Sequence, residues 1–421
     1  MNVKRTLGEL KTSMLARNTL WMGLGLGIRV VVQAAYFIVI ARSLGAEGYG
    51  AFVSVIALVN ILVPFSGLGS GYLLVQNVSR SAELFAKYWG NVLAMTLLSG
   101  LVFVGAVLWL SHYFLPGSIP PLLVLLIAVS DLLFARVLDA GGLAFLAFQR
   151  LAWTAHLQVL LSLSRLGAAL SLVGLVASPT PLELGWVYLL STAVSACVGA
   201  FFVHRKLGTP GLDLAKVAAE IKEGFYFSVS LSAQNVYNDI DKTMLARLST
   251  LEAAGIYAAA YRLIDVSFTP VRSLLYASYS RFFQHGAVGV RGSFGFAKRL
   301  LPITSAYGLI VGAALYLTAP LLPYLLGADY ENAVEAVRWL AVLPLLKAVH
   351  YFLADTLTGA GFQGLRSGLQ SLVAVCNVLI CLLLIPIYSW RGAAWASIVS
   401  DALLLLGLGV VLWYIHRKER L

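Results

Sequence analysis

Ionisable and amide side chains recur at three- and four-residue spacing inside stretches of this chain that are otherwise apolar. Asn235, Asn238, Asp239 and Lys242 form one such stripe, with Asp241 beside it. Arg262, Asp265, Thr269 and Arg272 form a second, and Lys347, Tyr351 and Asp355 a third, with His350 adjacent. Asp131, Arg136 and Asp139 share one segment, and Arg29, Gln33 and Tyr36 another. Such spacing puts each set on one face of a helix. Ionisable groups are expensive in hydrocarbon, so they face a bundle interior or a water-filled path and mark function by default. Basic groups there suit an anion, and carboxylates shielded from bulk water suit the uptake and release of a proton or sodium ion. Arg29, Arg136, Asp239, Asp265 and Lys347 fall near mid-depth of their segments.

A purely structural role competes with this reading. Arg136 with Asp139, Asp239 with Lys242, and Arg262 with Asp265 are three residues apart, so each pair can neutralise itself and lock helices. Packing alone does not require charges on six helices. Arg165 and Asp401 each stand alone on their helix, and Arg338 is placed to snorkel outward. Other chemistries find no support. No phosphate-binding glycine loop ending in Gly-Lys is present, no Gly-x-Ser-x-Gly elbow, and the six histidines are scattered. No cofactor or metal site is read. Cys197, Cys376 and Cys381 lie in apolar runs and read as packing residues.

The elements that must position these residues are twelve apolar stretches, each about 20 residues long, the length a helix needs to cross a bilayer. They run over residues 15–41, 49–75, 89–111, 121–148, 155–177, 182–203, 225–248, 255–282, 301–326, 334–359, 367–386 and 392–415. The chain is 60% hydrophobic and 12% charged, with a mean hydropathy of +0.85, values a soluble domain of 421 residues does not sustain. An all-α polytopic membrane protein follows. The first apolar run is too long for a signal peptide, so no cleavage is expected. The net charge of +11 does not point to nucleic acid. Lysine and arginine crowd into alternate loops, while the others hold only Arg42, Arg247 and Arg391. That bias places both termini in the cytoplasm and the basic loops against anionic lipid.

The organisation reads as two six-helix bundles, 1–204 and 225–421, joined by a cytoplasmic linker over 205–224. Leucine, valine and isoleucine line one face of Leu212–Ile221, as in an interfacial amphipathic helix. The segment before residue 15 reads similarly. A shift of 205 residues lays Ala41-Arg42 over Ala246-Arg247, Glu47 over Glu252, Gly50 over Gly255 and Phe52 over Tyr257. It also lays Gln33 over Asn238, Tyr36 over Asp241 and Asn60 over Asp265. Both halves begin on the same side, so this is a parallel repeat, with a central cavity expected at the repeat interface. Pro64 with Gly67, Gly69 and Gly71 interrupts the second helix, and Pro270, Pro302 and Pro344 mark or kink the eighth, ninth and tenth. Gly23 with Gly27, and Gly67 with Gly71, have the spacing of close helix packing.

Two segments carry a family resemblance. Ala41-Arg42-Ser43-Leu44-Gly45-Ala46-Glu47-Gly48-Tyr49-Gly50, followed by Gly67-Leu68-Gly69, resembles the start of polysaccharide exporters and O-antigen-type flippases. Asn238-Asp239-Ile240-Asp241-Lys242-Thr243-Met244-Leu245, then Ala254 to Arg262, resembles their seventh and eighth helices. These belong to the multidrug/oligosaccharidyl-lipid/polysaccharide superfamily. The resemblance implies translocation of an undecaprenyl-pyrophosphate-linked oligosaccharide across the bacterial inner membrane by alternating access, with proton or sodium coupling in some members. It implies pathway partners such as a polysaccharide polymerase and glycosyltransferases. On that reading Arg29, Gln33, Arg136, Asn238, Lys242, Arg262, Arg272 and Lys347 contact the carrier, and Asp239, Asp241, Asp265 and Asp355 carry the coupling ion. A multidrug or metabolite/cation antiporter of the same superfamily would share the fold but favour an acidic, aromatic cavity. A membrane-embedded polymerase or ligase would need a sizeable outer loop, and every outer loop is short.

Overall fold

In hydrocarbon every backbone N–H and C=O must be satisfied within the protein, and long apolar runs therefore form helices. The computed structural model describes residues 3–213 and 235–418 with positions 225, 228 and 232, and side chains from residue 27 onward, residue 280 excepted. Most of the expected linker helix, from residue 214, lies outside the described residues. So do the side chains of the N-terminal segment, whose backbone runs on into the first helix.

The helices are α1 (Val3–Leu62), α2 (Ser70–Val78), α3 (Phe85–Phe114), α4 (Pro121–Val129), α5 (Ala135–Ala147), α6 (Leu151–Leu175) and α7 (Pro181–Leu207). They continue as α8 (235–248), α9 (Leu251–Ser267), α10 (Thr269–Gly286), α11 (Val290–Thr318), α12 (Leu322–Leu326), α13 (Glu331–Leu340), α14 (Leu343–Gly359), α15 (Gln363–Tyr388) and α16 (Trp390–Lys418). Among the described residues, eight helical segments are long and apolar enough to cross a membrane. The pair Ala328–Leu340 and Leu343–Gly359, bent by 42°, makes up to nine. Among the described residues the other expected helices are traceable, the seventh from residue 235 onward. The segment Gly27–Phe65 holds two of them, and α8 and α9–α10, the helices of the two polar stripes, fall outside the eight.

The breaks sit where the sequence placed them. Gly45 ends the first span at φ 66°, ψ 179°, a conformation open essentially to glycine alone. A Cβ there would lie 2.7 Å from Asp329 Oδ2, and Tyr330 donates its hydroxyl to Gly45 O at 3.1 Å. Pro64 closes the second span in a short 3-10 turn, after which Gly67, Leu68 and Gly69 all take positive φ. Between α4 and α5, Ser130–Phe134 is a π-helical bulge. The two interruptions meet: Ser66 Oγ donates to Leu132 O in the bulge, and Arg136 Nε donates to Ser66 O at 3.3 Å. Ser99 Oγ accepts from Gly67 N at 2.8 Å. Pro270 separates α9 from α10, Pro344 opens α14, and Pro302 sits within α11. Close packing holds for Gly71, whose added Cβ would meet Leu143 at 2.8 Å, but not for Gly27, which among the described residues has nothing within 4 Å.

The chain forms two compact units, residues 1–44 with 54–235, and 45–53 with 236–421. The first is cored by Trp89, Phe145, Leu74 and Val203, the second by Phe282, Phe352, Leu357 and Leu408. Residues 45–53 also cross α9 closely. A Cβ on Gly50 would collide with Leu251 O, and one on Gly255 with Ala46 O. The two glycines that the 205-residue shift equates therefore lie backbone to backbone, a reciprocal contact of the kind a two-fold relation produces. Many exposed positions on the helices are large and apolar, with Leu317 75% and Leu383 70% exposed. On a protein in water such surface would aggregate; facing acyl chains it is at rest.

Candidate functional site

The polar residues of the second unit converge. Lys242 on α8 is 8% exposed and its Nζ lies 2.7 Å from Asp239 Oδ1, 2.8 Å from Asn238 O and 3.8 Å from Asp241 Oδ1. Asp241 also accepts from Lys242 N at 2.8 Å and from the Tyr257 hydroxyl, which shares a 2.8 Å bond with Ser397. Lys347 on α14, 5% exposed, donates to Tyr261 Oη at 2.6 Å. The ammonium groups of Lys242 and Lys347 stand 4.7 and 4.8 Å from the Tyr261 ring centroid, so one aromatic ring on α9 carries two buried cations. Asp265 and Arg272 pair at 3.2 Å across the Pro270 break. Arg262 remains within electrostatic reach of Asp265.

Asp355 stands apart from the other carboxylates. Its Oδ1 lies 3.0 Å from Arg366 of α15, which also bonds Thr358 Oγ1 at 2.7 Å. The face of α14 that holds Lys347 and Tyr351 therefore continues into a separate ion pair.

The first unit has its own polar group. Arg136 and Asp139 pair at 3.4 Å as expected, and Arg29 donates to Gln158 Oε1 at 3.2 Å, with Gln33 half-buried one turn on. Sequence reasoning missed its tightest part. Asp131, in the π-bulge, accepts from Arg165 Nη2 at 2.8 Å and from Tyr188 Oη at 2.9 Å. Arg165 also donates to Thr192 Oγ1 at 3.1 Å and lies 3.9 Å over the Tyr188 ring. Asp401 was likewise missed: it accepts from Tyr237 and faces His350. The available signal was the solitude itself, since a lone buried charge on one helix requires a partner on another.

The model of the polysaccharide biosynthesis protein family matches residues 15–273, more than half of the chain. The chain belongs to this family. No curated protein matches the sequence of this polysaccharide biosynthesis family member. Its fold is that of MOP-superfamily transporters. An inward-facing multidrug resistance MATE transporter of that superfamily superposes with a TM-score of 0.76 at 16% identity, over 92% of this chain and 96% of that one. An outward-facing one gives 0.67 at 16%, over 95% and 96%. A MOP-superfamily transporter from Pyrococcus furiosus, described as having a binding pocket of reverse polarity, gives 0.67 at 15%, over 96% of both chains. The family member is thus a multi-pass membrane protein with the two-repeat, twelve-helix fold expected of it.

Proposed function

We propose that the protein is a flippase that moves an undecaprenyl-pyrophosphate-linked oligosaccharide, a polysaccharide repeat unit, across the bacterial inner membrane by alternating access. The observation that carries the reading is the pair of buried ammonium groups, Lys242 and Lys347, flanking Tyr261. Two ammonium groups on one buried ring concentrate positive charge where an anionic cargo could be met, and the family match supplies polysaccharide synthesis as the context. Lys242, Lys347, Arg262 and Arg272 of the second unit engage the pyrophosphate, and Asn238 contacts the carrier beside them.

The carboxylates act as place-holders in this scheme. Asp239 and Asp241 hold Lys242, Asp265 holds Arg272, and Asp355 holds Arg366. A phosphate oxygen that takes over the cation releases its carboxylate, which then favours a proton or a sodium ion. Cargo entry and ion uptake are thereby linked. Charge bias in the loops supports cytoplasmic termini, and the pathway implies a polymerase and glycosyltransferases as partners. A cation antiporter is the second reading, favoured by the buried carboxylates and tyrosines, Asp241 with Tyr257 above all.

Purified protein in vesicles with a lipid-linked oligosaccharide separates the two. Arg272→Ala and Lys347→Met are expected to lower the flipping rate by about 10- to 100-fold, equal to roughly 1.4 to 2.8 kcal/mol of lost transition-state stabilisation. Arg272→Lys is expected to recover part of it, since a point charge replaces a fork. Unchanged flipping in both loss variants, or transport of an organic cation instead, overturns the proposal.

A further inference from the structure

Helix α10 exposes a different kind of surface from its neighbours. Val271, Leu275, Ser278 and Phe282 form its buried side, and among its described residues no leucine, isoleucine or valine is exposed. Its large exposed side chains are Tyr276 at 78%, Phe283 at 46% and Tyr279 at 42%. On α11 and α15 the most exposed large side chains are aliphatic, Leu317 and Ile387. Around the rings of α10 the exposed residues include Arg272, Ser273, Arg281, Gln284 and His285. Two arginines, a hydroxyl and an amide are costly against acyl chains. Nor is α10 among the segments apolar enough to cross a membrane. That side therefore suits water rather than lipid.

The rings are ordered along the helix. Arg272, Tyr276, Tyr279 and Phe283 follow one another at four-, three- and four-residue spacing, so they share one face. At 1.5 Å per residue that row is about 16 Å long. It starts at the Arg272–Asp265 pair, 3.2 Å apart, whose side chains are themselves 47% and 42% exposed. Tyr279 and Phe283 meet edge to face, with 5.2 Å between centroids at 81°, so each ring holds the other in place. Interfacial anchoring gathers aromatic residues at one depth of the bilayer. Tyr276 to Phe283 instead covers about 10 Å of helix.

We propose that this face of α10, from Arg272 to Phe283, is a track for the sugar chain of the cargo. Tyr276, Tyr279 and Phe283 stack on the pyranose rings, and Ser273 and Gln284 at the rim bond their hydroxyls. The inference rests on the flippase reading for the nature of the cargo and adds where its sugars lie. A pyranose has a face of C–H groups and an edge of hydroxyls. The C–H face suits the negative face of an aromatic ring, which covers it without requiring one hydroxyl pattern. The edge suits hydroxyl and amide side chains, which both donate and accept. Because the row begins at Arg272, the pyrophosphate and the first sugar fall on adjoining turns of one helix. A row of rings reads the length of a glycan more than its composition.

The test uses full-length protein in lipid nanodiscs, with geranylgeranyl pyrophosphate as the probe, bare or carrying chitotriose or maltotriose. Wild type is expected to bind the glycosylated probes about tenfold more tightly than the bare one, two stacked rings contributing about threefold each. Tyr276→Ser combined with Tyr279→Ser is expected to bring that ratio close to one. Tyr276→Phe combined with Tyr279→Phe is expected to keep it, because the rings remain. A ratio near one in wild type for both glycans, or one that the serine variant leaves unchanged, overturns the proposal. Saturation-transfer NMR with free chitotriose and maltotriose is a second measurement that needs no pyrophosphate. No transfer to either sugar in wild type overturns the proposal as well. Transfer that the serine variant loses, in a protein that binds no pyrophosphate probe, keeps the track and removes the flippase reading. Pyrophosphate binding that Arg272→Ala abolishes, with neither sugar transfer nor a gain from glycans, keeps that reading and removes the track.

Discussion

Arg165 and Asp131 illustrate how the membrane interior treats charge. The salt bridge at 2.8 Å is completed by Tyr188 and Thr192, so that four polar groups are bonded in one chain. Removing one member leaves the other uncompensated. Arg165→Met is expected to destabilise the protein by about 3–5 kcal/mol. Adding Asp131→Asn should restore most of the loss, because the carboxylate no longer needs a cation. Thermal unfolding in detergent measures both, and a single variant as stable as the double one would disprove the coupling. Lys242 differs in kind: its hydrogen bonds to Asp239 and Asn238 stay on its own helix, and it meets α9 at the face of the Tyr261 ring. That is the arrangement a group needs if it is to exchange its partner for a ligand.

At the scale of elements, proline and glycine carried most of the information. Pro64, Pro270 and Pro344 each coincide with a break, and a removed donor is a local property that the sequence states outright. The π-bulge at Ser130–Phe134 has no such marker. Within it Leu132 O accepts from Ser66 of the broken second span, a contact 66 residues away that no local pattern encodes. For the same reason the stripes on α8, α9 and α14 were legible from spacing, while the partners of Asp131 and Asp401, which lie on other helices, were not. Asp355 was legible as part of a face but not as the mate of Arg366, since its role depends on where α15 begins. The Gly50–Gly255 crossing invites a test at this scale. Gly50→Val or Gly255→Val forces the two backbones apart and is expected to cost about 1–3 kcal/mol or more from overpacking. Gly27→Val, which meets no atom within 4 Å among the described residues, serves as the control and should be neutral. Equal effects of all three on thermal stability would show that the crossing is not tight.

For the whole molecule, the composition of the two units is the telling feature. The second is assembled from residues 45–53 together with 236–421, so the chain visits it early, leaves, and returns almost 200 residues later. During synthesis the short piece around Gly50 reaches the membrane long before α9, the helix it packs on, has been made. Contacts so distant in sequence are paid for late in folding, and segments awaiting them are open to misassembly. A fragment beginning at residue 214 would lack its nine earliest residues and expose the backbone face of Gly255. It is expected to be degraded when expressed alone and rescued by a co-expressed fragment 1–213, as pulse-chase labelling would reveal. A long-lived solitary fragment would contradict this. Maturation of the carboxy-terminal half is therefore set to depend on a small piece of nascent chain that must be kept waiting, unpartnered, while seven further helices are inserted.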